Sequence, residues 1–66
     1  MAITIDKRVM GGVPCIGGTR IPVVTVIRAL AQPAAWIQDV LIDYPDLSID
    51  DIREALHWAA DKLEAP

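Results

Sequence analysis

One cysteine, Cys15, and one histidine, His57, are the only thiol and the only imidazole in this 66-residue sequence. A single thiol excludes an internal disulfide, and no cysteine–histidine cluster stands at zinc spacing. No apolar run approaches the ~20 residues of a membrane span, and residues 1–6 lack the basic and hydrophobic regions of a signal peptide. A cytoplasmic location is expected, and the lone thiol agrees with a reducing compartment. Excess positive charge is also missing. The net charge of -3 excludes a protein that coats nucleic acid without specificity.

What is present is a short, apolar chain. A domain of this length buries only ~60% of the surface that its unfolded form exposes, yet 53% of the residues are hydrophobic. With disulfides and metal excluded, self-association is the remaining route to stability, and a homodimer is expected. The charge is distributed unevenly. Residues 1–33 carry Lys7, Arg8, Arg20 and Arg28 against Asp6 alone, whereas residues 34–66 carry Arg53 and Lys62 against eight carboxylates. Any phosphate contact therefore belongs to the front half.

Ile3 and Ile5 alternate with Thr4 and Asp6 at the period of a half-buried strand, and Gly11-Gly12 ends the run. Val13-Pro14-Cys15-Ile16 is a second short extended piece closed by Gly17-Gly18, so the front reads as a β-hairpin or extended arm. Pro22 suits the first position of a helix whose inner face is Val23, Val26, Ile27 and Leu30, with Thr25 and Arg28 turned away. Pro33 can open a second helix with Ile37, Val40, Leu41 and Tyr44 on one face and Ile42 well off it, ended by Pro45. Ser48 stands three residues before Asp51, the spacing of a capping box, and starts the last helix. There Ile49, Ile52, Leu56, Ala59, Ala60 and Leu63 fall within an arc of about 100°, with Trp58 opposite beside Asp51, Glu54 and Lys62. The expectation is one domain, mainly α: a β arm over residues 1–21 and a three-helix unit over 22–66 with the proportions of a helix-turn-helix.

The run from Gly11 through Gly12, Pro14, Cys15, Gly18, Thr19 and Arg20 to Val23, followed by Asp43-Tyr44-Pro45-Asp46-Leu47 and the closing helix, resembles the small bacterial domain-of-unknown-function family 433. The likeness extends from Ile3 to about Ala60 and implies a homeodomain-like three-helix fold behind a small β element. It further implies an antitoxin of a toxin–antitoxin pair whose partner is a PIN-like nuclease toxin. The family pattern maps onto Gly12, Pro14, Gly18, Thr19, Arg20, Pro22, Asp43, Tyr44 and Pro45, and implies no catalytic role for them. One departure stands out. Members approach the second helix through a glycine and a capping serine, where this chain has Gln32-Pro33-Ala34-Ala35-Trp36.

Arg20, behind the flexible Gly17-Gly18-Thr19, could hold a phosphate together with the turn's amides, or could tie the arm to a carboxylate such as Asp43. Cys15, flanked by proline and isoleucine, reads as a packed apolar residue rather than a nucleophile. Asp43, Asp46, Asp50, Asp51 and Glu54 read as caps and solvated faces rather than a metal cluster. No enzyme activity, cofactor, metal or small-molecule substrate is expected. Trp58, opposite the apolar face, is a candidate partner or dimer contact alongside Ile42, or else lies in a groove formed by the chain's own arm. Lys7, Arg8, Arg20, Arg28 and Arg53 are the candidate DNA contacts. Two functions remain open: an antitoxin that binds its toxin and operator DNA as a dimer, and a protein-interaction module of the same shape without DNA affinity. Asp50, Asp51 and Glu54 at the start of the last helix favour the second, because carboxylates repel phosphates.

Overall fold

The computed structural model describes residues 3–64. Strand β1 (Ile3–Thr4) pairs antiparallel with β2 (Cys15–Ile16), Ile3 opposite Ile16 and Thr4 opposite Cys15. Helices α1 (Val23–Leu30), α2 (Ile37–Asp43) and α3 (Ile49–Glu64) follow. The expected architecture, three helices behind a β-hairpin, is the one observed.

The hairpin connection folds back through a short 3₁₀ turn over Met10–Gly12. Three consecutive residues there, Met10, Gly11 and Gly12, hold φ of 52°, 70° and 94°. Glycine tolerates such values without a Cβ penalty, so the Gly11-Gly12 pair lets the chain reverse. Beyond β2, the Ile16 amide donates to the Ile21 carbonyl (2.9 Å) and the Val23 amide to the Pro14 carbonyl (2.9 Å). The second bond pairs an amide at the start of α1 that no helical carbonyl can reach. Pro22, with φ -65° and ψ 143°, is consequently the residue before the helix, one position earlier than its expected place as the first helical residue.

At its other end, α1 is closed by the Ala31 amide on Ile27 (3.0 Å) and by the Gln32 side-chain amide on the Arg28 carbonyl (3.2 Å). Pro33 does not open α2, contrary to the sequence-based expectation. Ala34 takes a left-handed conformation, φ 61°, which breaks helical continuity and delays the helix to Ile37. The missing serine cap is half replaced. Trp36 has no side-chain acceptor, but its backbone amide donates to Asp39 Oδ2 (2.8 Å), so the acid of a capping box works without the hydroxyl. The complete box stands at α3, where the Ser48 amide donates to Asp51 Oδ2 (2.9 Å) and the Asp51 amide to Ser48 Oγ (3.1 Å).

The core consists of Ile16 from the hairpin, Val23 and Val26 from α1, Val40 from α2, Leu47 before α3, and Ile52 and Ala55 from α3. The expected inner faces of α1 and α2 are buried or half-buried, although Thr25 is half-buried rather than turned out. The face of α3 differs from expectation. Ile52 and Ala55 are buried, and Trp58 and Ala59 are half-buried, whereas Ile49, Leu56, Ala60 and Leu63 are exposed. The inward direction is turned by roughly 80° from the expected arc, at 100° per residue. Trp58 explains the rotation. Its ring offers more apolar area than any aliphatic side chain of the helix, and small Ala55, fully buried, lets α3 approach closely enough to seat it.

Ile52 has no exposed surface and Ile42 has 75%. Ile52→Val should lower the free energy of unfolding by about 1 kcal/mol through the cavity it leaves, and Ile42→Val should change it by less than about 0.5 kcal/mol. Urea denaturation of both variants measures the contrast.

Candidate interaction surface

The glycine–threonine–arginine turn is built by its backbone. The Thr19 amide and hydroxyl both donate to the Ile16 carbonyl (3.0 and 2.7 Å), and the hydroxyl accepts from the Ile21 amide (3.1 Å). Gly18 supplies the left-handed residue, φ 78°, that lets the loop close. Thr19 is thereby committed to holding β2 against the segment that leads into α1. Arg20 projects from this turn, exposed, and forms no ion pair with another described residue. The tie to Asp43 is therefore absent among the described residues, and the Arg20 guanidinium faces water.

The other cations differ in how free they are. Arg8 forks onto Asp6, with Nε to Oδ1 at 3.2 Å and Nη2 to Oδ2 at 3.1 Å, and the Arg8 amide donates to the same Oδ1 at 2.9 Å. These bonds hold the Asp6 carboxyl below the usual aspartate range, the side-chain bond contributing most. Lys7 runs alongside Gly12, where a Cβ would meet Lys7 at 3.9 Å, and its ammonium is exposed. Arg28 and Arg53 are exposed on α1 and α3, and neither forms a salt bridge with another described residue. Lys62 lies over the Trp58 ring, 5.4 Å from its centroid. Of the arm's positive charge, then, Lys7 and Arg20 are the unneutralised part.

The remaining motif residues are structural. The Tyr44 amide donates to Val40 (2.8 Å) and the Leu47 amide to Tyr44 (2.9 Å), so Asp43-Tyr44-Pro45-Asp46-Leu47 is the turn that buries Leu47 between α2 and α3. Pro14 and Gly12 shape the hairpin connection described above. Cys15 is buried, its Sγ 3.4 Å from the Val13 carbonyl, while His57 is exposed on α3. Among the described residues no group of three or more His, Cys, Asp or Glu side chains is placed to hold a metal, and there is no cavity. No helix among them is long and apolar enough to cross a membrane.

Trp58 is half-buried against the chain's own core, so intrachain packing supplies cover for its ring. Ile42 stands out at 75% exposure. Trp36, at 72%, is an exposed aromatic that periodicity could not single out, because it precedes α2 and belongs to no helix face. The available signal was the missing serine cap: the residue occupying that position is a tryptophan.

A domain of this kind, three short helices locked to a hairpin with large apolar side chains left at the surface, presents faces rather than a cleft. The family model described as "Protein of unknown function (DUF433)" matches residues 3–59, and the chain belongs to that family. No curated protein and no solved structure matches it.

The Asp6–Arg8 fork yields a pH prediction. A carboxyl depressed in the folded state stabilises the fold above its unfolded pKa, and that contribution fades as pH falls through the lower, folded value. An NMR titration should place the Asp6 carboxyl below the ordinary aspartate value, and Arg8→Ala should return it toward that value. Identical titrations of Asp6 in the two proteins would refute the fork.

Proposed function

We propose that this chain is the antitoxin of a type II toxin–antitoxin pair, a cytoplasmic, non-enzymatic protein that neutralises a PIN-like nuclease toxin and binds operator DNA as a dimer. One observation carries the binding role. Among the described residues, eight large apolar side chains are exposed, as many as the apolar residues that are buried, two of which are small Cys15 and Ala55. A chain that gives up so much apolar surface gains stability by covering it with protein. Trp36 and Ile42, about the start and end of α2, are the side chains best suited to anchor the toxin, since a few large apolar groups usually dominate an interface. Membership of the DUF433 family agrees with the resemblance on which the antitoxin reading rests.

DNA contact belongs to the front arm in this reading, through Lys7 and Arg20 with a smaller share from Arg8. The alternative, an interaction module without DNA affinity, is favoured by one specific feature. Asp50 and Asp51 occupy the first turn of α3, where a recognition helix would meet the duplex.

Co-expression with a PIN-like open reading frame from the neighbouring gene tests the first function. The chain should relieve growth arrest and inhibit the nuclease stoichiometrically, and Ile42→Ala should weaken the complex by about 5- to 30-fold. A nuclease that remains fully active beside an excess of folded chain would end the antitoxin reading. For DNA, Lys7→Ala should reduce the salt slope of operator binding by about one unit, and Arg8→Ala by less, because Asp6 already neutralises that charge. Wild-type protein that shows no operator preference even with its toxin bound would leave the interaction module as the function.

A further inference from the structure

Helix α2 and the residue before it present a stripe that the fold itself does not use. Trp36, Asp39 and Asp43 follow one another at steps of three and four residues, fall within an arc of about 60° at the helical step, and are all exposed. The Trp36 amide, 2.8 Å from Asp39 Oδ2, holds that carboxylate beside the tryptophan. Asp43 stands one turn further on, ~6 Å from Asp39.

Asp43 costs its own helix stability. It is the last residue of α2, where the dipole is negative, and no basic residue stands in that turn to offset it. It also repels Asp39 across one turn. Its carboxylate takes part in no ion pair or hydrogen bond with another described residue. Among the described residues the ion pair is Arg8 on Asp6, and the cation over a ring is Lys62 over Trp58, so the chain's own positive charges leave this stripe unmatched. An indole that is 72% exposed beside two open carboxylates is matched by a cation from another molecule.

We infer that Trp36, Asp39 and Asp43 form a receptor for an arginine side chain of the partner protein. The indole face takes the guanidinium plane, and the carboxylates take its N–H groups. Arginine fits better than lysine because it stacks and forks at once. Ile42, 75% exposed and three residues past Asp39, adds apolar contact at the receptor's edge. The inference rests on the proposed reading of α2 as the toxin-binding face, and deepens it. A nuclease holds a polyanionic substrate, so its substrate surface carries cations, arginine among them, that grip the phosphates. An arginine seated on α2 is withdrawn from that task, and the chain inhibits by competing with nucleic acid.

Two measurements test the receptor, one of them without the toxin. In an NMR titration at low salt, an acetylated Arg-Gly-Arg peptide should move the resonances of Trp36, Asp39 and Asp43 further than those of the other exposed carboxylates Asp50, Asp51 and Asp61, and a Lys-Gly-Lys peptide should move them less. Shifts of equal size at all the carboxylates, or no preference for arginine, would overturn the receptor whatever the toxin does. With the PIN-like protein of the neighbouring gene, Asp43→Asn should weaken the complex about 10-fold and Trp36→Leu about 5-fold, while Asp61→Asn should leave it unchanged. Asp43→Asn should at the same time keep or raise the midpoint of urea unfolding, because it removes a repulsion from α2. A midpoint that falls would make Asp43 a structural residue and overturn its place in the receptor. An Asp43→Asn variant that binds as tightly as wild type would overturn the receptor and leave the antitoxin reading standing, whereas wild-type chain that binds arginine peptide but not the toxin would support the receptor and end that reading. Inhibition that does not weaken as nucleic-acid substrate is raised would overturn the competition.

Discussion

The backbone of Cys15–Ile16 is bonded on both edges, and the start of α1, against which the other two helices pack, follows from it. On one side it pairs with Ile3–Thr4. On the other, Ile16 donates to Ile21 and the preceding Pro14 accepts from Val23. Both side chains are buried. A two-stranded hairpin of this length would not persist in water by itself. Here the chain supplies a third edge from residues 21–23, and the Thr19 hydroxyl closes the loop between them, so hairpin and first helix form one unit. The signature residues around Gly18 and Thr19 are therefore accounted for by architecture, while Arg20, the one charged residue of the turn, takes no part in closing it.

How much of this could be read from the residues depends on how local the cause is. Ser48 and Asp51 specify a cap within four residues, and the start of α3 was legible. The inner faces of α1 and α2 were legible as well, because each short helix has one apolar arc. The start of α2 was not, since whether Pro33 opens a helix or sits in a turn is decided by Ala34 adopting a left-handed conformation, and nothing about an alanine announces that. The inward face of α3 is not legible in the sequence because the helix has two neighbouring apolar arcs. One contains Ala55 and Trp58, the other Leu56 and Leu63, and periodicity cannot tell which meets α1. The choice is made by packing, where a buried alanine and a half-buried indole fit better than two branched side chains.

The same limit applies to charge. Counting residues gives the front half four cations, but the count cannot see that Arg8 turns back onto Asp6 two positions earlier, or that Lys62 lies over Trp58. An exposed fork of this kind contributes little to stability. It does reshape the field of the arm, concentrating the uncompensated charge of its described residues at Lys7 and Arg20.

The buried thiol at the junction of hairpin and helix has a practical corollary. Cys15 is the chain's only sulfhydryl and is 2% exposed, so a thiol reagent can reach it only when the structure around β2 opens. Under conditions where reclosing outpaces labelling, the labelling rate reports the free energy of that opening. Residues 15–23 thus contain a built-in clock, unreactive in the closed protein, that times the opening of the junction between hairpin and helix.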